Sequence, residues 1–273
     1  MKMKKLTIAA CTCAVVAVLA LAGCSSSSST PAQPANSSGS TASGYALVDP
    51  GTLTVAASLD FPPFESLDGS KPVGFAVELM NLLADEMGLK CNYLTTVKFD
   101  TIVPMISAGG KADVGVSSFT INADRAKEID FTDAYMDSNQ SLVVMGSSAY
   151  AEVAQLEGKK IGAQSGTTGY DWAVENIKGA EVIPYDEVTA IFAALQAGQI
   201  DAISIDLPVS QAYIKNAYPD AKIIKETPTG EQYGIVVSKE NPELTKALNQ
   251  ALAAVKSNGK YDALYATWFG ATA

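Results

Sequence analysis

From Leu53 onward the chain alternates between two hydrophobic rhythms. Leu53-Thr54-Val55-Ala56-Ala57 is a short apolar run that reads as a strand. Phe75, Leu79, Leu82 and Leu83 follow helical spacing, and Gly88 marks their stop. A second strand starts near Cys91. Asp100 is placed to cap a helix carrying Ile102, Val103, Met105 and Ile106, with Gly109 beyond its end, and the strand Asp113 to Ser117 follows. Strands alternating with helices predict α/β layers around a largely parallel sheet.

The rhythm then recurs. MISAGGKADVGVS in the first part of the chain and ALQAGQIDAISID in the second each contain an apolar helix end, Ala-Gly, a turn, Asp and a strand. Two copies about ninety residues apart predict two similar α/β lobes. In open α/β sheets ligands bind outside the carboxyl ends of the strands. Those ends carry Ser117-Ser118 in one copy and Asp206 in the other, so both are expected to face a cleft. The chain closes with the apolar strand Tyr233 to Val237 and a helix opened by Asn241-Pro242, whose buried face is Leu244, Leu248, Ala251, Leu252 and Val255. The last helix carries Tyr261, Leu264, Tyr265, Trp268 and Phe269 at helical spacing, a stripe expected to dock on a lobe.

The first residues follow neither rhythm. Lys2, Lys4 and Lys5 precede an apolar stretch from Leu6 to Ala22, which ends in Leu21-Ala22-Gly23-Cys24. A basic start, a short apolar run and small residues before a cleavage point describe a secretory signal over 1–23. The run LAGC resembles the bacterial lipobox, in which the cysteine is lipidated and becomes the new N-terminus. The competing reading, a transmembrane anchor, suffers because the run falls short of the ~20 residues a span needs. Residues 24–44 lack charge and large apolar side chains, as expected of a flexible tether. With Cys11 and Cys13 removed and Cys24 lipidated, Cys91 stands alone and is expected to be a core residue.

Composition narrows the chemistry. The chain of 273 residues is 48% hydrophobic, enough for one large or two modest domains. It contains no histidine, which removes Ser-His-Asp and Cys-His nucleophile systems and the commonest metal ligand. Neither a metal nor another cofactor is expected. There are 19 Lys+Arg against 29 Asp+Glu. Without the three lysines of the signal the balance is 16 − 29 = −13, which disfavours nucleic acid as a partner.

One arginine stands among eighteen lysines, at Arg125, just past a strand end. A guanidinium offers a rigid fork that matches a carboxylate bidentately, and lysine does not. An ion pair with Glu128 or Asp130 explains it equally well on position alone. Asp206 ends a strand, where it suits a ligand's ammonium group or the N-cap of the helix opened by Pro208. Between them, Gly162 to Gly169 forms a glycine-rich turn into a helix whose first N–H groups favour an anion. The turn lacks the Gly-Lys-Ser/Thr of a P-loop.

Taken together, DFPPFES, VGFAVELMNLLADEMG, FDTIVPMISAGGKADVGVSSFTINADRAKEIDFTDAY, IGAQSGTTGYDWA, EQYGIVVSKENPEL and NGKYDALYATWFG resemble, in order, the bacterial extracellular solute-binding proteins of family 3. These are the polar amino-acid receptors of ABC importers. The resemblance implies a periplasmic-binding-protein-like (type II) α/β fold. Lobe 1 would comprise 45–138 and 234–273 and lobe 2 139–233, joined by strands near Tyr135 to Ser141 and Glu231 to Gly234. It implies that Arg125 binds the α-carboxylate with the backbone N–H of Thr168, that Ser118 and Thr120 add polar contacts, and that Asp206 accepts the α-ammonium. Phe61 and Phe99 would flank the ligand side chain. Ser58, Asp60 and Gln164 are the specificity candidates. A neutral polar ligand such as glutamine is the first expectation and a cationic one using Asp60 the second.

The implied partners are a free amino acid, an ABC permease and the membrane surface through Cys24, with the protein itself monomeric and extracytoplasmic. Two alternatives share the fold. One is a periplasmic cyclohexadienyl or arogenate dehydratase-like enzyme, for which Glu231, Asp60 or Glu65 would supply the acid. The other is a surface adhesin or sensor.

Overall fold

The computed structural model describes residues 44–270 apart from Thr96. The signal segment, Cys24 and all but the last residue of the tether lie outside the described residues. No described helix is long and apolar enough to cross a membrane.

The first strand, β1 (Thr52–Ala56), is followed by a small hairpin of β2 (Ser66–Asp68) and β3 (Lys71–Val73). Helix α1 (Phe75–Glu86) buries Phe75, Leu79 and Leu83 as the helical spacing predicts, while Leu82 is half-buried and Met80 joins the buried face instead. Then come β4 (Lys90–Leu94), α2 (Phe99–Ala108) and β5 (Val114–Thr120). A short strand, β6 (Ile129–Phe131), precedes the long β7 (Met136–Met145). The second part of the chain supplies β8 (Lys160–Gln164), α3 (Thr168–Asn176), β9 (Glu181–Tyr185), α4 (Val188–Gln196), β10 (Ala202–Asp206) and α5 (Leu207–Asn216). An 18-residue strand, β11 (Ala221–Ser238), leads back to α6 (Pro242–Ser257) and α7 (Lys260–Phe269).

Nine strands form one sheet in the order β4-β1-β5-β11-β7-β10-β8-β9, with β6 on β11. Each flank is parallel: β1 pairs with β4 and β5, and β8 pairs with β9 and β10. The centre is antiparallel, because β7 carries the chain across and β11 brings it back. The expectation of a largely parallel sheet therefore describes the flanks and not the middle. The repeat holds in the structure: α2 leads into β5 on one flank, and α4 leads into β10 on the other.

Two local expectations change. Helix α2 starts at Phe99 with Lys98 in the cap position, so Asp100 lies in its first turn and does not cap it. Phe99 stacks on Phe119 with ring centroids 4.6 Å apart, which draws it into the helix. Asn241 occupies the cap position of α6 but makes no side-chain cap bond there. Its Nδ2 donates to the Ala46 carbonyl at 2.8 Å and so ties down the entering chain. Cys91 is half-buried against the main core, and burial pushes its thiol up to about 11. The aromatic stripe of α7 docks as expected: Tyr261, Tyr265 and Phe269 each contact the Phe75 ring.

Gly74 precedes α1 with φ 133°, and a Cβ there would lie 2.1 Å from the Phe64 carbonyl oxygen. Backbone strain of this kind costs ~1–3 kcal/mol before any clash is counted. Gly74→Ala is therefore expected to destabilise the fold by about 3 kcal/mol or more. A urea unfolding midpoint equal to wild type would contradict this.

Candidate functional site

The cavity that matters lies where β5, on one flank, faces the ends of β8 and β10, on the other. It leaves about 10 Å³ for the centre of a water-sized probe, roughly the room of one water. Its walls are Phe61, Phe99, Ser117, Ser118, Thr120 and Arg125 from the first flank, and Gln164, Thr167, Thr168 and Asp206 from the second. Eight of the ten predicted ligand residues are thus brought together.

Arg125 is held on three sides. Its Nη1 donates to the Thr120 carbonyl at 2.8 Å, and its Nη2 donates to the Gly166 carbonyl, on the opposite flank, at 2.9 Å. The guanidinium carbon also lies 5.4 Å from the centre of the Phe99 ring and 5.3 Å from that of Phe119. Cation–π contacts fix the plane of the fork. None of the ion pairs among the described residues involves Arg125, so the pairing with Glu128 or Asp130 is not formed. Of its five N–H groups two are spent on carbonyls, which leaves the others for a ligand carboxylate. Burial pulls its pKa below the usual range, and Asp206 is the first of three carboxylates that oppose this.

Ser118 adopts φ 51°, an uncommon conformation for a residue with a side chain. It is held there by Glu65, whose Oε1 accepts from the Ser118 N–H at 3.1 Å and whose Oε2 accepts from its hydroxyl at 3.0 Å. Glu65 is fully buried, and desolvation pushes its carboxyl well above the usual range. Thr120 and Thr168 meet across the cavity, with their hydroxyl oxygens 3.3 Å apart. Thr167 caps α3 by accepting from the Tyr170 N–H at 3.1 Å, which leaves Thr168 in the first turn, where N–H groups lack intrahelical acceptors.

Asp206 occupies the cap position of α5, yet its side chain makes no cap bond. Instead Oδ1 accepts from Gln140 Nε2 at 2.7 Å, and Oδ2 accepts from the Tyr233 hydroxyl. Burial, followed by the nearby Glu231 charge, pushes the Asp206 carboxyl up to about 7. Gln140 also donates to Glu231 Oε2 at 2.7 Å and to the Thr168 hydroxyl at 3.3 Å. Sequence reasoning missed Gln140 and Tyr233 as supports of the site. The one available signal was the polar run Asp137 to Ser141 entering an otherwise apolar strand.

Ser58 and Asp60 fall elsewhere. They line a neighbouring cleft together with Leu59, Lys98, Asp186 and Glu187. Ser58 donates to Asp60 Oδ1 at 2.9 Å, and Asp60 Oδ2 accepts from the Val188 N–H at 2.6 Å. Gln164 does reach the main cavity. Its Nε2 donates to the Asp186 carbonyl at 3.0 Å, leaving Oε1 for a ligand donor.

A cavity whose arginine, acid and helix start come from two parallel flanks joined by two crossing strands defines an α/β binding protein. The chain belongs to the bacterial extracellular solute-binding proteins, family 3, whose profile matches residues 53–271. It is 32% identical over 224 residues to the putative ABC transporter arginine-binding protein 2 of Escherichia coli K12, covering 80% of this chain and 90% of that one. Among solved structures it is similar to an ancestral arginine-binding protein bound to arginine, with TM-score 0.76 and 38% identity over 81% of this chain and 99% of the other. An ancestral arginine-binding protein bound to glutamine is similar at TM-score 0.75 and 37% identity, over 81% and 98%. The family is that of amino-acid ABC transporter solute-binding proteins.

Proposed function

We propose that this protein delivers a neutral polar L-amino acid, glutamine first, to an ABC permease, and that it does not catalyse a reaction. The observation that carries the reading is the convergence of Arg125 and Asp206 on one small cavity from opposite flanks. Their charges suit the two ends of a zwitterion. Arg125 and the Thr168 N–H grip the α-carboxylate, Asp206 takes the α-ammonium with Thr120 and Ser118 beside it, and Phe61 and Phe99 flank the side chain. Among the described residues, Asp206 is the one carboxylate lining the cavity. With that charge used at the α-ammonium, an uncharged side chain reaching the Gln164 Oε1 fits better than a cationic one.

In this reading the flanks are two lobes, 45–138 with 234–273 and 139–233, hinged at β7 and β11. A ligand shifts such a pair toward closure only as far as it contacts both lobes, and the two ends of a zwitterion do so. The same proposal places the protein outside the cell membrane as a monomer, tethered by lipid on Cys24.

A thermal-shift panel of the common amino acids tests the substrate. Glutamine at 100 times its Kd is expected to stabilise by ~2.7 kcal/mol. A larger shift with arginine or lysine would move the assignment to a cationic ligand. No shift with any amino acid would overturn the reading.

A further inference from the structure

Asp60 sits at the rim of the cleft, and its hydrogen bonds cross it. Oδ2 accepts from the N–H of Val188, the first residue of α4 on the opposite flank, at 2.6 Å. The residue in the cap position of α4, Glu187, makes no side-chain cap bond, so Asp60 supplies from across the cleft the acceptor that the helix lacks in its own chain. Oδ1 is steadied by the Ser58 hydroxyl at 2.9 Å. The backbone of the same residue is engaged as well, because the Tyr213 hydroxyl of α5 donates to the Asp60 carbonyl at 2.8 Å. Beside them, the exposed pair Lys98–Asp186 also spans the flanks.

The geometry points to Asp60 as a positioning residue that latches the two lobes shut: it caps α4 from the opposite lobe and does not select the ligand. This rests on the two-lobed reading above. Two features support a latch over a selector. Asp60 is outside the residues lining the cavity of Arg125 and Asp206. Its partners, Val188 and Tyr213, belong to the same core cluster as Phe61, so the latch is seated on packed apolar side chains. A charged cap adds to this, because the start of a helix favours negative charge. Because the bonds need no ligand, the latch favours closure whatever amino acid is bound.

The test uses Asp60→Ala and the conservative Asp60→Asn, whose amide oxygen can still accept from Val188. Small-angle X-ray scattering of the ligand-free protein reads closure directly, and calorimetry with glutamine and with arginine reads affinity. Asp60→Ala is expected to expand the ligand-free protein relative to wild type and to weaken every amino acid that wild type binds by one common factor, on the order of tenfold. Asp60→Asn is expected to fall between. Loss confined to arginine, with scattering unchanged, would make Asp60 a selector and overturn the latch. Unchanged scattering and unchanged affinities would overturn it too. If wild type bound no amino acid, the reading of function would fail, while the scattering comparison would still decide the latch.

Discussion

Arg125→Ala is expected to weaken amino-acid binding by about 3–5 kcal/mol, the loss found when one partner of a buried charged pair is removed. That is a factor of hundreds to thousands. The expectation follows from how the guanidinium is held. It lies over Phe99 and Phe119, it is fixed by two carbonyls on opposite flanks, and it lines the cavity. Arg125→Lys should recover little, because an ammonium cannot reproduce a planar fork. Calorimetry with the strongest ligand of the thermal-shift panel would check both variants, with circular dichroism confirming the fold. Wild-type affinity in Arg125→Ala would remove the carboxylate clamp and with it the functional reading.

The second large effect concerns Asp206 and has a definite sign with pH. Its carboxyl is pushed up to about 7 by burial and by the neighbouring Glu231. Unfolded, an aspartate titrates near ~3.9. Between those two values the folded protein holds a proton that the unfolded chain has lost, so this group costs the ligand-free protein stability as pH rises through that window. Ligand binding runs the other way. An α-ammonium needs the ionised carboxylate, so affinity is expected to rise with pH through about 7, with a proton released on binding. At pH 5.5 only roughly 3% of the groups would be ionised, which predicts an affinity about 30-fold weaker than at pH 8.5. Asp206→Asn should flatten that profile and bind as weakly at pH 8.5 as the wild type does under acid conditions. A profile that stays steep in Asp206→Asn would assign the titration to another group.

Much of this site is legible in the sequence because its key residues sit at strand ends and in turns with strong local signals. Arg125 follows β5, Asp206 ends β10, and Thr168 follows the glycine turn after β8. What stays hidden depends on register between distant strands. Tyr233 on β11 reaches Asp206 on β10 because both strands pair with β7, and Gln140 of β7 stands opposite Asp206 and also bonds Glu231 of β11. No local pattern reports such a meeting. Asp60 is instructive in the same way. Its motif places it beside Phe61, which lines the cavity, but alternation along an extended segment sends neighbouring side chains to opposite faces. Only the fold reveals that the N–H it meets belongs to α4.

The pairing of β7 with β11 also has a genealogical side. Met136 stands opposite Tyr233, so the chain leaves the first flank and re-enters it at adjacent points. Everything between is, topologically, a guest module inserted at one position of a host whose own strands, β1, β4, β5 and the end of β11, pair without it. Host and guest each carry the same helix-to-strand repeat, as a duplicated ancestral unit would. Arg125 and the two rings under it, Phe99 and Phe119, belong to the host, whereas Thr168 and Asp206 belong to the guest, so a change confined to the guest leaves the arginine and its seat in place.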